Sequence, residues 1–398
     1  MTQSDVEKGI MKVFRKEKPD KVPWMPRIEH WYNVNKALGT LPEWLEQLGI
    51  VDVYRRLDAA MRLYIFVDSV YGFRTPPYGS DAVPLPLRTA SGASAWMSTA
   101  DDKSEIEVKK KRTGDEISTE YETPVGKLRS IERVTEHGYS SYFTEYPIKS
   151  VEDFKVLDFM LEATEFAFDA QAYRELEDWL GGQGMIWCCG PRTPLQRLLI
   201  EFMGIERTFV NLYRNKDKVE GIMEMIGQVD EKCYEEIRRS PVKVVNLADN
   251  LDCRIVSPHL FQRYYLQHYQ ERCRQLRKAG KCTVTHADGY VKALLPLFRE
   301  TGLDGVEAVT FKPTGDVTIE EVKKAFGDEL ILVDGIPYWH FLPMVSIEEF
   351  DSVTRKVIST FEDGLILGIS DEIPPKGDIE RLRRVSRIIE EKKQLDER

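Results

Sequence analysis

From Gly184 onward, short apolar runs alternate with amphipathic stretches, and this alternation restricts the possible folds more than any other feature of the sequence. Each run is almost continuously apolar, which is typical of parallel strands that are buried on both faces. The six runs are Met185–Cys189, Val242–Leu247, Cys282–Thr285, Gly305–Val309, Leu330–Val333 and Gly364–Gly368. Two further strand candidates, Val22–Ile28 and Leu63–Val67, bring the count to eight. Eight strands make a closed (β/α)8 barrel, a TIM barrel, which is the α/β fold that we predict.

Helix signals lie between the predicted strands. Pro42–Met61 is predicted as one helix, and another begins after the N-cap Ser257 and ends at Gly280. Capping-box patterns start at Thr318 and at Ser346. An open doubly wound sheet is the rival architecture, but it is disfavoured because no glycine-rich turn follows any predicted strand.

Residues 105–147 differ from the rest of the chain, since they are rich in Thr, Tyr, Val and Ile with alternating charges. Turn signals at residues 113–115 and 124–126 predict an antiparallel β meander in this segment. No linker rich in Pro, Gly or Ser divides the chain. We therefore predict one domain over residues 1–398, with an N-terminal extension and an insert at about residues 100–148.

Composition excludes several classes of function. The 398 residues carry a formal net charge of −10 and no long basic run, so nucleic-acid binding is not expected. No segment approaches 18 uninterrupted apolar residues, so no membrane span is expected. The six cysteines show no zinc-ribbon spacing and the first residues are polar and charged, which predicts free thiols and a cytoplasmic location.

Ionisable residues follow almost every predicted strand, where barrel enzymes carry their reactive groups. The acidic ones are Asp249, Asp252, Asp288, Glu307, Asp334 and Asp371. Closely packed carboxylates cannot all stay ionised unless a cation or a basic partner compensates them. His286 adds an imidazole on the same strand face as Asp288. This pattern predicts a divalent metal site, with zinc first because of the imidazole.

Some of these acids have a structural alternative, because an Asp after a strand often caps the next helix. Asp249, Asp288 and Asp371 are each placed to do so. Glu307 differs from them because it interrupts an apolar strand, where an unpaired buried carboxylate would be costly.

The chain has no GxGxxG, P-loop, HExxH or GxSxG motif. Its ordered strand ends instead resemble those of the uroporphyrinogen decarboxylase superfamily. The matching segments are Asp20-Lys21-Val22-Pro23, Gly190-Pro191-x-Thr193, Asp249-Asn250-Leu251, Ser257-Pro258-x-x-Phe261, Gly280-Lys281, His286-Ala287-Asp288-Gly289, Gly315-Asp316-Val317, Gly335-Ile336-Pro337 and Gly368-Ile369-Ser370-Asp371. The resemblance spans most of the chain and implies a (β/α)8 barrel with one of two activities. One is cofactor-free decarboxylation of uroporphyrinogen, and the other is methyl transfer to or from a corrinoid protein, assisted by zinc in the best-known branches.

The site residues depart from both branches. The decarboxylase branch carries a Met-Arg-Gln-Ala-Gly-Arg run that binds substrate carboxylates, whereas this chain has Met-Pro-Arg-Ile-Glu-His and retains only Arg27. The methyltransferase branch binds zinc through a His-x-Cys pair and a distant Cys. Here Asp288 and Asp371 stand at the two sulfur positions. The His-x-Asp-Gly segment is similar to that of the first methyltransferase of bacterial ether-cleaving O-demethylase systems.

Together these features predict a methyltransferase that moves a methyl group from a methyl ether, such as a methoxylated aromatic, to the cobalt of a corrinoid, assisted by a divalent metal that polarises the ether oxygen. The predicted metal ligands are His286, Asp288, Glu307 and Asp371. The predicted catalytic residues are Asp249, Asp252 and His286. The predicted substrate-binding residues are Arg27, His30, Trp31, Tyr32 and Arg192.

The chain lacks the Asp-x-His-x-x-Gly signature of corrinoid-binding proteins. The corrinoid (cobalamin) is therefore expected on a separate partner protein that docks over an apolar, partly exposed rim of the barrel. Two alternatives stay open, a cofactor-free decarboxylase of the uroporphyrinogen type and a binding barrel without enzymatic activity.

Overall fold

The computed structural model describes residues 4–66, 96–97, 105–135 and 141–397. The chain divides into two compact units. The first comprises Met1–Tyr64, Arg174–Cys188 and Val242–Arg398, and the second comprises Ile65–Tyr173 and Cys189–Pro241. Val67 of a predicted strand and residues 100–104 and 136–140 of the predicted insert lie outside the described residues. The prediction of one domain over residues 1–398 stays a prediction.

The strands are β1 Met61–Phe66, β2 Trp96–Met97, β3 Glu107–Thr113, β4 Glu116–Thr123, β5 Gly126–Val134, β6 Ser141–Glu145, β7 Ala167–Phe168, β8 Gly184–Cys189, β9 Val244–Asn250, β10 Cys282–His286, β11 Gly305–Glu307, β12 Ile331–Pro337 and β13 Leu365–Ser370. The α-helices are α1 Asp5–Phe14, α2 Glu29–Leu38, α3 Ile50–Arg56, α4 Phe154–Glu162, α5 Ala170–Leu180, α6 Pro194–Arg197, α7 Ile205–Arg214, α8 Lys216–Arg239, α9 Pro258–Tyr264, α10 Leu266–Lys278, α11 Leu295–Phe298, α12 Ile319–Phe326, α13 Ile347–Phe361 and α14 Glu380–Asp396. Short 3₁₀ turns lie at Glu43–Leu45, Val151–Asp153, Tyr338–Phe341 and Glu362–Gly364, and a π-helical turn lies at Leu198–Phe202.

Seven strands form one curled sheet in the order β1-β8-β9-β10-β11-β12-β13, and the described pairings from β9 to β13 are parallel. Every residue of β8, β11, β12 and β13 is buried, as the continuous apolar runs predict. Helices follow most of these strands along the chain, so that α10, α12 and α13 lie between successive strands. The predicted (β/α)8 barrel is confirmed.

The eighth position of the barrel is taken by a short segment in place of a full strand. Trp24 pairs in parallel with Leu367 of β13, and its carbonyl accepts a hydrogen bond from the amide of Ala60, just before β1, at 2.8 Å. The predicted strand Val22–Ile28 is thus reduced to one bridge. Prolines at positions 23 and 26 explain this, because they have no amide hydrogen with which to extend the ladder.

The predicted insert forms a four-stranded antiparallel sheet in the order β3-β4-β5-β6, which confirms the meander. It belongs to the second unit. A capping box follows the sheet: the side chains of Ser150 and Asp153 each accept a hydrogen bond from the backbone amide of the other residue.

Two predicted helices are interrupted. The segment predicted as one helix over Pro42–Met61 contains a 3₁₀ turn and the short α3, since Gly49 adopts an extended conformation before α3. The helix predicted from Ser257 to Gly280 is divided into α9 and α10 at Tyr265. The capping box at Thr318 is confirmed. No helix in the described ranges is long and apolar enough to cross a bilayer.

Candidate active site at the carboxyl ends of the barrel strands

Two neighbouring strands of the first unit each end in an ionisable residue. His286 is the last residue of β10, Glu307 is the last residue of β11, and the two are direct partners in the parallel pairing. Nδ1 of His286 lies 2.9 Å from Oε1 of Glu307. Glu307 is buried, whereas the His286 side chain is 17% exposed. The imidazole therefore has one nitrogen fixed by a buried carboxylate and an edge that solvent reaches.

The carboxylate of Glu307 receives donors from several other strands. Nδ2 of Asn246 in β9 donates to Oε1 at 2.7 Å, and the hydroxyl of Tyr64 in β1 donates to Oε2. Nη1 of Arg62, also in β1, lies 3.3 Å from Oε2. Strands β1 and β11 are not neighbours in the sheet, so these contacts cross the interior of the barrel.

Asp334 lies inside the barrel beside the same arginine. Nη2 of Arg62 donates to Oδ1 of Asp334 at 2.8 Å, and the amide of Ala308 donates to Oδ2 at 3.2 Å. Asp334 has a positive φ of 83°, and a Cβ atom on Gly368 would lie 2.2 Å from its Oδ1. Gly368 therefore leaves the space that this carboxylate occupies.

A second arginine pairs with the acids that follow β13. Nη1 of Arg27 donates to Oδ1 of Asp371, and its Nη2 lies 3.9 Å from Oε2 of Glu372. Arg27 is buried. Its charge is thus balanced within the protein, which leaves no surplus cation there for a substrate carboxylate.

These contacts shift the pKa values of the groups. Burial alone would lower the pKa of His286, but the hydrogen bond to Glu307 and the charge of Asp371 outweigh it and raise the pKa to about 9. Burial likewise acts to raise the pKa of Glu307, yet Arg62 and His286 hold it below its usual value. Burial dominates at Asp334 and raises its pKa to about 7. An imidazolium beside a carboxylate is the arrangement that these shifts favour at neutral pH.

The structure does not gather the four predicted metal ligands into one set. Within the described part of the chain, no group of three or more His, Cys, Asp and Glu residues is arranged to hold a metal ion. Asp288 accepts a hydrogen bond from Oγ1 of Thr310 at 2.6 Å, Asp371 pairs with Arg27, and Glu307 is surrounded by donors. Arg27 and Arg62 lie beside these carboxylates and supply positive charge there, and the predicted zinc site stays a prediction.

Two predicted catalytic acids have structural partners. Asp249 is wholly buried and accepts a hydrogen bond from the hydroxyl of Tyr269 in α10 at 2.8 Å. Asp252 accepts from Nε of Arg254 at 2.9 Å. Burial acts to raise the pKa of Asp252, but the hydrogen bonds from Arg254 outweigh it and lower the pKa. Both carboxylates have hydrogen-bond partners within the protein, and their catalytic roles stay predictions.

The aromatic residues predicted to bind substrate lie on α2. Trp31 is buried and donates from Nε1 to the carbonyl of Gly377 at 2.9 Å. Tyr32 is also buried and donates to the carbonyl of Leu48 at 2.6 Å. Both side chains are buried and hydrogen-bonded, and their substrate-binding role stays a prediction. His30 is partly exposed, and its substrate-binding role stays a prediction.

Arg192 belongs to the second unit. Its Nη1 donates to Oε1 of Glu201 at 2.8 Å, and Glu201 also accepts from Nε of Arg197 at 2.9 Å. Arg197 in turn donates to the buried Asp230 at 2.5 Å. The substrate-binding role of Arg192 stays a prediction.

Sequence reasoning missed three residues of the site, Arg62, Tyr64 and Asn246. Each is a polar residue within or beside a run predicted as a buried strand. A buried polar side chain has to find a partner, so their presence in such strands was the available signal.

A (β/α)8 barrel with a charged network at its strand ends has the arrangement in which barrel enzymes carry their reactive groups. The sequence model of the family described as "Uroporphyrinogen decarboxylase (URO-D)" matches residues 131–392, which is about two thirds of the chain. The chain therefore belongs to the uroporphyrinogen decarboxylase family.

One solved structure agrees with this fold over the length of both chains. The chain is similar to a methyltransferase from Methanosarcina mazei with a TM-score of 0.59 and 13% identity, over 98% of this chain and 99% of that one. It is less similar to a B12-independent methionine synthase from Shewanella sp. W3-18-1, with a TM-score of 0.35 and 12% identity over 65% of this chain and 72% of that one. A putative vitamin-B12-independent methionine synthase from Listeria monocytogenes has a TM-score of 0.37 and 13% identity, over 93% and 96% of the two chains. No curated protein matches the sequence. Only the first similarity has a TM-score above 0.5, and at 13% identity it shows the fold alone.

Proposed function

We propose that this protein is a methyltransferase that moves a methyl group from a methyl ether, such as a methoxylated aromatic, to the cobalt of a corrinoid carried by a separate protein. One observation carries the proposal: Nδ1 of His286 is held 2.9 Å from Glu307 while the side chain stays accessible at the strand ends. The end-to-end similarity in fold to a protein named as a methyltransferase supports it.

The charge balance of the site favours an ether over a polycarboxylate. Both arginines of the barrel network, Arg27 and Arg62, are paired with carboxylates of the protein. A strongly anionic substrate such as uroporphyrinogen needs unpaired cations, which this network does not offer. A neutral ether oxygen needs only a proton donor when it leaves.

His286 is the residue placed to donate that proton. With Nδ1 fixed by Glu307, Nε2 is the nitrogen left to face a bound substrate, and no described residue hydrogen-bonds to it. Reduced cobalt of the corrinoid, as the methyl acceptor, supplies the electron pair for the new bond to the methyl carbon while the carbon–oxygen bond breaks. The departing oxygen keeps the pair of the broken bond and takes the proton from Nε2, so a phenol or an alcohol is released. No metal step is part of this proposal.

Two exposed apolar side chains of the first unit are available to a partner protein. Met344, in the loop after β12, is 82% exposed, and Leu38 at the end of α2 is 53% exposed. Such residues suit contact with another protein better than contact with water. They are consistent with the apolar rim that the sequence predicts for the corrinoid partner.

The test is to incubate the protein with free cob(I)alamin and a panel of methoxylated aromatic compounds, and to follow the absorbance of methylcobalamin. We expect methylation with at least one donor, and a loss of about 100-fold or more in His286→Gln. Iodomethane, which methylates cob(I)alamin without enzyme, is the positive control for the acceptor.

The same preparation distinguishes the decarboxylase alternative. Uroporphyrinogen is supplied without corrinoid and the release of carbon dioxide is measured. Carbon dioxide release together with no methylation from any donor would contradict the proposal and favour the decarboxylase.

A further inference from the structure

We infer that the guanidinium of Arg62 is the fixed cation of this site: it positions Glu307, and through it His286, and these carboxylates then need no divalent metal ion. The inference concerns the charge balance of the site and not its substrate. It therefore holds whether the barrel transfers methyl groups or removes carboxyl groups.

The position of Arg62 is the first support. It lies in β1, is wholly buried, and reaches across the barrel interior to residues of β11 and β12. One guanidinium nitrogen lies 2.8 Å from Asp334 and another lies 3.3 Å from Glu307. A planar guanidinium can bridge two carboxylates in this way, whereas the compact ammonium group of a lysine cannot match both directions.

The surroundings of Arg62 hold the guanidinium in place. Its Cζ lies 5.6 Å from the ring centroid of Tyr64 and 5.4 Å from that of Trp187. These two rings contact each other edge to face, with centroids 6.1 Å apart. A cation close to aromatic rings is stabilised by their negative faces, so both rings favour the guanidinium at this position.

The donors around Glu307 are the second support. Oε1 accepts from Asn246 and contacts His286, while Oε2 accepts from Tyr64 and lies beside Arg62. A metal ion would require lone pairs that already face Asn246, Tyr64 and His286, while Arg62 adds its charge without a hydrogen bond. Binding one would mean displacing at least one of these contacts.

The backbone around Asp334 is the third support. The positive φ of Asp334 and the absence of a side chain at Gly368 direct its carboxylate toward Arg62. Without the arginine, two buried carboxylates would lie close together with only the imidazole to balance them. The fold thus places Asp334, the second acid, next to Arg62, whose charge makes the burial of this carboxylate tolerable.

The first experiment measures zinc. Wild type and His286→Ala are equilibrated with excess zinc ion, dialysed together and analysed for bound metal. We expect equal zinc content, because any zinc on surface or cysteine sites is common to both proteins. One equivalent of zinc present in wild type and missing from His286→Ala would overturn the inference.

The second experiment tests positioning by Arg62 directly. Histidine side chains are labelled with ¹⁵N, and the Nδ1 proton resonance of His286 is assigned by its absence from His286→Ala. We expect this resonance to be lost in Arg62→Met and shifted upfield in Arg62→Lys, because Glu307 is no longer held in place. Arg274→Lys, on the exposed side of α10, should leave it unchanged.

Arg62→Lys keeps the test decisive if Arg62→Met does not fold, which circular dichroism will show. A His286 resonance identical to wild type in the folded Arg62 variants would overturn the positioning role. The resonance is measured without substrate, so this outcome is independent of whether methyl transfer is found.

Discussion

His286 and Glu307 are paired residues of adjacent parallel strands, and their side chains meet with 2.9 Å between Nδ1 and Oε1. Because both lie at the carboxyl ends of their strands, the pair stands where barrel enzymes carry their chemistry. The contact fixes which imidazole nitrogen remains available. It also ties the charge of His286 to a buried network that includes Arg62 and Asp334.

Replacing Glu307 tests the proposed acid. In Glu307→Gln the negative charge is lost, so the pKa of His286 should fall from about 9 toward its ordinary value near 6.5. We expect kcat for methyl transfer at pH 8 to fall about 30-fold, because the imidazolium fraction at that pH falls by this factor. Glu320→Gln, an exposed acid on α12, is the matched control and should retain activity. An unchanged pH–rate profile in Glu307→Gln would show that His286 does not depend on this carboxylate.

The pH dependence of the rate follows from the same pair. Burial lowers the pKa of His286, but Glu307 and Asp371 raise it to about 9 overall. Since the imidazolium is the form that donates a proton, the rate should be level near pH 7 to 8 and should fall about tenfold per pH unit above pH 9. A rate that rises through pH 9 would rule out His286 as the acid.

Stability should depend on pH with a defined sign. The folded-state pKa of His286 lies above the unfolded value of about 6.5, so its contribution is complete below pH 6.5 and is lost as the pH rises through 9. The full contribution is about 3 kcal/mol. Urea unfolding at pH 6 and pH 9.5 should show the stability advantage of wild type over His286→Gln becoming smaller at the higher pH. An advantage that grows with pH would contradict the assignment.

The sequence predicted the barrel well because each parallel strand is a local apolar run, and the order of the runs places His286 beside Glu307. The prediction was wrong for the length of the first strand. Prolines shorten that strand to a bridge at Trp24, so Trp31 and Tyr32 lie on α2 and their orientation follows from helix packing. No local pattern could predict this packing.

The sequence also did not predict Arg62 as the charge partner of Glu307 and Asp334. Arg62 is 245 positions from Glu307 and 272 from Asp334, and the three meet only because the sheet closes into a barrel. Two of the acids, Glu307 and Asp334, do meet beside Arg62. The identity of the compensating cation was not predicted, because an arginine across the barrel and a bound metal satisfy the same charge requirement.

Replacing Tyr269 tests whether the role of Asp249 is structural or catalytic. Tyr269→Phe removes the hydroxyl that donates to Asp249 at 2.8 Å and contacts Oγ1 of Thr285 at 2.7 Å. We expect a loss of about 1–3 kcal/mol in the free energy of unfolding, because a buried carboxylate loses a donor. The KM for the methyl donor should not change. Tyr213→Phe, at a fully exposed tyrosine, should alter neither quantity. A raised KM at unchanged stability would instead place Asp249 in the substrate site.

Alanine substitutions at two glycines compare a crowded position with an open one. In Gly368→Ala the new methyl group would lie 2.2 Å from Oδ1 of Asp334 and 3.0 Å from the carbonyl of Met25, so the carboxylate has to leave Arg62. We expect a loss of about 1–3 kcal/mol in unfolding free energy from overpacking, together with reduced kcat. In Gly364→Ala, nothing lies within 4 Å of the added carbon, and the change should stay within about 0.5 kcal/mol. Equal unfolding free energies for the two variants would mean that Asp334 does not need the space beside Gly368, and the contact between Asp334 and Arg62 would then lose its steric support.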